Sequence, residues 1–480
     1  MLRKFLVLAF MLAFFAACNN NATSGVTDNE AGASPPWSED ETPGGPGSAP
    51  GVPEDAPRDP VTITYANWNL GLEEENNLER RMLAAFMDAY PWITVEIDDR
   101  ITGDWMEALT IASTTQSLPD VFMLNDQGAM IINGWLMDIT EVAMDDPEFA
   151  ALPSAILQST QINNRVFSIP FAQFMIGFFV NRDIFNSLNL DPPTFGVSVE
   201  DFISLTREVT DLNRPIVGLN HATSFAEWMP GNLDRSLGFF AYQNGTYALN
   251  SPAMLQTIAL AAELTTTGYT FEGLTPDQRE AFVGGWGGEV FRDDGTIALL
   301  YDGTWLMNFI QEGATFDWDF IGAPGGRTVV TIDITGVAST SAHPYEAFLL
   351  AKFMGFGADG YLRRAAIANE MGAALPLPVS TDSRVIAAFR ESIPVPGLLA
   401  AIDNLGDALI DGNKIIPGHV PARFTAPTGI SIPGTDIDNA SMGDAMHHSQ
   451  TGALNFPAHA DALAAIAAEQ LSAAMALLSN

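Results

Sequence analysis

A regular alternation of strand and helix signals beginning at Val61 constrains this chain more than any other feature. Val61-Thr62-Ile63-Thr64-Tyr65 is rich in β-branched and aromatic residues, which suit a pleated surface. Over 73–90, Leu78, Met82, Leu83 and Phe86 recur at helical spacing, and Pro91 stops the run. Ile93-Thr94-Val95-Glu96-Ile97 reads as a second strand, 105–113 as a second helix, and Asp120-Val121-Phe122-Met123-Leu124 as a third strand. Strands separated by helices need crossover connections, so this order predicts an α/β fold with a parallel sheet covered by helices. Ligands of such sheets gather beyond the carboxyl ends of the strands. Asn67-Trp68 and Asn125-Asp126 stand at two of those ends.

The first 60 residues are of another kind. Residues 1–17 read as a signal peptide: a basic start at Arg3-Lys4, an apolar run over 5–17 too short to span a bilayer, and small residues at its end. Phe15-Ala16-Ala17-Cys18 resembles a bacterial lipobox, which implies a lipid on Cys18 and anchoring at the extracytoplasmic face of a membrane. Residues 18–60 alternate Pro, Gly and acids, as in Pro43-Gly44-Gly45-Pro46-Gly47. They carry too little apolar surface to offset the entropy of ordering, so a lipidated disordered tether is expected. Cys18 is the only cysteine, which excludes disulfides and cysteine-metal clusters. Acids outnumber bases 58 to 21, for a formal charge of −37, so the chain repels nucleic acid.

From Val61 to about Ser380 the sequence resembles the extracellular solute-binding proteins of ABC importers, in the carbohydrate-binding group that includes maltose-binding protein. The marks are Asn67-Trp68 after the first strand, Leu118-Pro119-Asp120-Val121-Phe122, Gly134-Trp135-Leu136-Met137-Asp138, and Arg165-Val166-Phe167-Ser168-Ile169-Pro170 leading into Gly177-Phe178-Phe179-Val180-Asn181. Further along come Gly295-Thr296-Ile297-Ala298-Leu299, Asp302-Gly303-Thr304-Trp305 and His343-Pro344-Tyr345. Their order and spacing carry the resemblance, which fades beyond Ser380. It implies a two-lobed, type II periplasmic-binding-protein-like fold whose lobes are joined by three hinge crossings. One lobe is expected to comprise 61–170 plus 325–372 and the other 171–324 plus 373–480. It also implies a receptor without catalytic activity or cofactor. Such a receptor captures a sugar or oligosaccharide and delivers it to an ABC permease and its ATPase. A polyamine or polyol phosphate is the alternative solute, and a secreted carbohydrate-active enzyme the alternative class.

A sugar offers apolar C–H faces and a rim of hydroxyls, so its site needs flat aromatics and polar groups. Trp68 and Trp305 occupy motif places that favour the cleft. Trp228, between Glu227 and Pro230, and Trp286, in Gly284-Gly285-Trp286-Gly287-Gly288, are ligand candidates or packing residues; Trp92, Trp105 and Trp135 are assigned to packing. Asp126 follows the third strand, where the maltose-binding relative carries a sugar-contacting acid; an Asp there also suits a helix cap. Gln173 and Asp302 complete the candidate ligand-binding set. Arg423 reads as a salt-bridge partner before a ligand clamp. No spacing singles out a carboxylate pair of the glycosidase kind, and His447-His448 points its rings apart, so neither a catalytic nor a metal site is assigned.

Overall fold

The computed structural model describes residues 59–393 and 395–479. The leader, Cys18 and the tract up to residue 58 lie outside the described residues.

A nine-stranded mixed sheet organises the chain. At one end, Val61–Ala66 lies between Ile93–Ile97 and Val121–Leu124, all parallel. At the other end, Ile297–Gly303 runs parallel to Val217–Leu219. Between them lie two long strands, Ile169–Asn181 and Val329–Val337, antiparallel to each other. Each also runs antiparallel to its neighbour in one parallel block, Ile297–Gly303 for the first and Val121–Leu124 for the second. The expected parallel sheet is therefore two parallel blocks joined by strands that cross from one lobe to the other. The third crossing lies beside the first: the backbone of Gln173 exchanges hydrogen bonds of 3.3 and 3.1 Å with Leu377.

Local sequence accounts for the pieces. Asn77 caps Leu78–Ala89 by accepting from Arg80 N, and Met82, Leu83, Ala85 and Phe86 form its buried stripe. The first crossing strand is buried along nearly its whole length, so it reads as an apolar run without alternation. Gly177 in its middle is required by close approach. A Cβ there would sit 2.5 Å from the carbonyl carbon of Gly322.

Two cores flank the crossings. Tyr65, Phe86, Phe122 and Leu350 belong to the first; Phe178, Phe202, Trp228, Met254, Leu299 and Leu463 belong to the second. The C-terminal quarter visits both lobes. Helix Ser383–Ser392 packs on Ala358–Met371, which in turn packs on Leu78–Ala89 of the first lobe. Helix Pro396–Ile402 packs on the strand Trp318–Phe320, with Gly397 N donating to Asp319 Oδ1 at 2.9 Å. The last helix, Ala460–Leu478, is the one described helix long and apolar enough to cross a membrane. It nevertheless turns Ala460, Leu463, Ala467, Leu471 and Ala474 inward as a helical face, and packs on Gln127–Ile132 and on the Thr246–Tyr247 strand.

Candidate functional site

The first lobe builds its wall at the carboxyl ends of its strands. Asn67 accepts from Asn69 N at 2.8 Å, capping the short turn Trp68–Leu70, and donates to the Tyr65 hydroxyl at 2.7 Å. The turn that carries Trp68 is thereby tied to the core. Trp68 meets Trp105 edge to face at 5.2 Å, and the Trp105 indole donates to Met123 O, the packing role expected of it. Asp126 caps Gln127–Ile132 by accepting from Ala129 N at 3.0 Å. The capping alternative is therefore realised, at a strand end facing the C-terminal segment. Burial pushes the Asp126 carboxyl up to about 6.

The second lobe uses the same edge. Asn220 ties the ends of Val217–Leu219 and Ile297–Gly303 together: it donates to Tyr301 O at 3.1 Å and accepts from Tyr301 N at 2.9 Å. Asp302 accepts from Gly303 N at 2.7 Å and from the Trp305 indole, while burial raises its carboxyl to about 7. Trp305 remains 42% exposed and meets Phe174 of the first crossing edge to face at 5.8 Å. Asp302, Trp305 and Phe174 therefore form one cluster, with the indole left open to a ligand.

Two of the expected residues sit elsewhere. Trp228 is 0% exposed and packs against Phe178, Phe202 and Phe225. It lies on the inward face of helix Phe225–Leu233, and no face of its ring is open to a solute. Gln173 lies opposite Ile332 in the crossing pair, whereas Phe174 lies opposite Thr331, so the two side chains point to opposite faces. The Gln173 amide donates to Pro378 O at 2.8 Å, bracing the third crossing. Trp286 is half-buried and stacks obliquely on Phe309 at 5.7 Å. Its glycine-rich loop folds over Asn220, since a Cβ on Gly287 would come within 2.7 Å of the Asn220 Cβ.

Residues 411–424, beyond the stretch that carries the family resemblance, run between the walls. Lys414 pairs with Asp333 on the second crossing and stands 5.7 Å from the Trp68 ring centre. Its carbonyl accepts from Gln127 N at 2.9 Å, and Pro417 lies against Gly128. At the other end, Arg423 pairs with Glu227 at 3.0 Å and stacks over Phe240 at 4.5 Å. Burial raises the Glu227 carboxyl against the pull of Arg423. Arg423 is thus a salt-bridge partner of Glu227, as expected. The signal for Lys414 was a lone base in a polar turn, Asp411-Gly412-Asn413-Lys414; its partners come from residues far away in sequence.

The model for the family described as bacterial extracellular solute-binding protein matches residues 72–356. Among solved structures, an ABC substrate-binding protein from Listeria monocytogenes in complex with cycloalternan aligns with TM-score 0.65 at 17% identity. The alignment covers 87% of this chain and 100% of that one. A solute-binding protein from Thermotoga lettingae bound with α-D-tagatose gives 0.62 at 13% identity, covering 86% and 100%. The sugar-binding protein MalE from Xanthomonas citri gives 0.61 at 14%, covering 86% and 98%. At such identities these likenesses carry the two-lobed fold. No curated protein sequence matches the chain.

Proposed function

Because the chain belongs to the family of bacterial extracellular solute-binding proteins, we propose that it captures a sugar or oligosaccharide between its lobes and delivers it to an ABC permease. The observation that carries the saccharide reading is Trp305. A large aromatic is held 42% exposed beside the shielded carboxylate of Asp302, at the carboxyl end of a second-lobe strand. Exposed flat surface next to a hydrogen-bond acceptor matches the two faces of a sugar ring. Trp68 and Asp126 offer the same pair of chemistries from the first lobe. Solved relatives bound to cycloalternan and to α-D-tagatose support this solute class.

Closure requires both walls to engage one solute, which makes the closed form the signal read by the permease and its ATPase. The lobe division 61–170 plus 325–372 and 171–324 plus 373–480 suits this hinge, with Ser383–Ser392 moving with the first lobe. We read the protein as a receptor without catalysis, tethered to the membrane through lipid on Cys18. Release of reducing ends from oligosaccharides, abolished by one carboxylate substitution, would establish an enzyme instead. Incorporation of labelled fatty acid tests the anchor, and a Cys18→Ser variant should lose it.

The test of the main reading is a thermal-shift screen of the mature protein with sugars, polyamines and polyol phosphates. Stabilisation by a saccharide is expected, and Trp305→Ala should weaken that saccharide at least about tenfold, or 1.4 kcal/mol. A response to polyamine alone would overturn the saccharide reading. Unchanged saccharide affinity in Trp305→Ala would overturn the site.

A further inference from the structure

The charges around the cleft are unevenly settled. The two basic side chains of the segment 411–424 are already committed. Lys414 is paired with Asp333, and Arg423 with Glu227 at 3.0 Å and with Asn413 Oδ1 at 3.3 Å. His221, at the end of Val217–Leu219, is pushed toward its neutral form by burial, which Glu272 opposes. By contrast, Asp126 and Asp302 have no lysine or arginine partner among the described residues. Their bonds come from the N–H groups of Gly128 and Ala129 for Asp126, and of Gly303 and Trp305 for Asp302.

A second observation is independent of the carboxylates. The Tyr301 hydroxyl belongs to a side chain only 4% exposed and has no hydrogen-bond partner. The charges of Glu227, Asp411 and Asp302 bear on that hydroxyl and outweigh the opposing charge of Arg423, which is itself paired with Glu227. A buried polar atom without a partner is costly, and a ligand group that bonds it would remove that cost. On the first-lobe side, Asn125 Oδ1, next to Asp126, is likewise buried and unpaired. The unpaired oxygens on both walls call for donors.

We propose that the saccharide received by this cleft carries a positively charged amine, as an amino sugar or an oligomer of one does; this rests on the saccharide reading above. An uncharged sugar supplies donors but no charge, so on closure each carboxylate must either take up a proton, as its raised pKa allows, or stay unpaired at a cost of several kcal/mol. An ammonium group supplies three donors, no acceptor, and the missing charge. Its bonds to carboxylate are about twice as strong as neutral ones. A phosphorylated or uronic sugar would add charge of the wrong sign to a site whose bases are taken.

The experiment is calorimetric titration of the mature protein at low salt with aminated, N-acetylated and neutral members of the same skeletons. Glucosamine, galactosamine and mannosamine series, as monomers and oligomers, are the probes, with spermidine alongside. The aminated member is expected to bind at least about tenfold tighter than its neutral counterpart, with a preference that shrinks as salt rises. In Asp302→Asn, and separately in Asp126→Asn, the aminated member should lose at least about tenfold more affinity than the neutral one. A neutral or N-acetylated member that binds as tightly overturns this inference and leaves the saccharide reading standing. Binding of spermidine with no sugar overturns the saccharide reading and this inference with it. A preference that survives both substitutions overturns the assignment to these carboxylates.

Discussion

Trp228 and Trp305 lie in the same lobe, and both flank proline, glycine or acidic residues that suggest a turn, yet they do opposite work. Trp228 is enclosed between Phe178, Phe202 and Phe225. Trp305 meets Phe174 edge to face, lies over Gly303 and bonds Asp302 through its indole, yet remains 42% exposed. The difference arises from the elements that carry them. Helix Phe225–Leu233 follows Val217–Leu219 and turns one face onto the sheet, and Trp228 falls on that face with Phe225 and Met229. Trp305 sits in the short turn that ends Ile297–Gly303, beyond the edge of the sheet, where no layer covers it. Proximity to Pro230 did not make Trp228 a loop residue, because the helix runs through that proline.

The largest test of this contrast is Trp228→Ala. Emptying a fully enclosed indole site should cost about 3–5 kcal/mol of stability, read as a lower midpoint in urea with little change in the slope. A loss below about 1 kcal/mol would mean that the pocket collapses freely and that Trp228 is not a core residue in the sense argued.

Next in size is Asp302, which supports the open side of the comparison. Its folded carboxyl titrates near 7 because of burial, against 3.8 for the free group. The native state therefore binds a proton more tightly than the unfolded chain does. Stability of the ligand-free protein should fall as pH rises from about 4 to about 7, then level off, for the part due to this group. Asp126, near 6, adds a similar slope that ends about one unit lower. Asp302→Asn should raise stability at pH 8 by roughly 2 kcal/mol and flatten the slope between pH 5 and 7. An unaltered pH profile would remove the case for a desolvated carboxylate beside Trp305.

Trp305→Ala should change stability by less than about 1 kcal/mol, since so much of the ring is already in water. Paired with the affinity loss expected of the same variant, this separates a binding aromatic from a packing one. The smallest effect belongs to Gln173→Ala. Losing one hydrogen bond to Pro378 O should cost about 1 kcal/mol and leave the preference among solutes unchanged. A change in that preference would place Gln173 in the cleft after all, against the face assigned to it by its register with Ile332.

Much of this molecule was legible in one dimension. The strands at 61, 93 and 121, the helix with its Pro91 stop, and the motif order that implied two lobes all depend on period and punctuation, which are local. That Asp302 and Trp305 come together was legible because a strand end and the residues just past it are neighbours in sequence as well as in space; that they bind the solute is the proposal. The C-terminal segment was not. Lys414 acquires its role from Asp333 and Trp68, and Arg423 from Glu227, contacts that span from 81 to more than 300 positions and leave no periodic trace. The direction of the sheet was half legible: helices between strands predicted the parallel blocks, while the antiparallel crossings that unite them needed the pairing itself.

The sequence alone determined that this chain builds an α/β protein with ligand-ready groups at its strand ends, because hydrophobic period and turn chemistry act over a few residues. Only the tertiary structure decided which aromatics stay exposed, which bases are already paired and which carboxylates are left without a counter-ion. Exposure and charge compensation depend on what other segments bring to the same place, and a linear pattern of residues does not contain that.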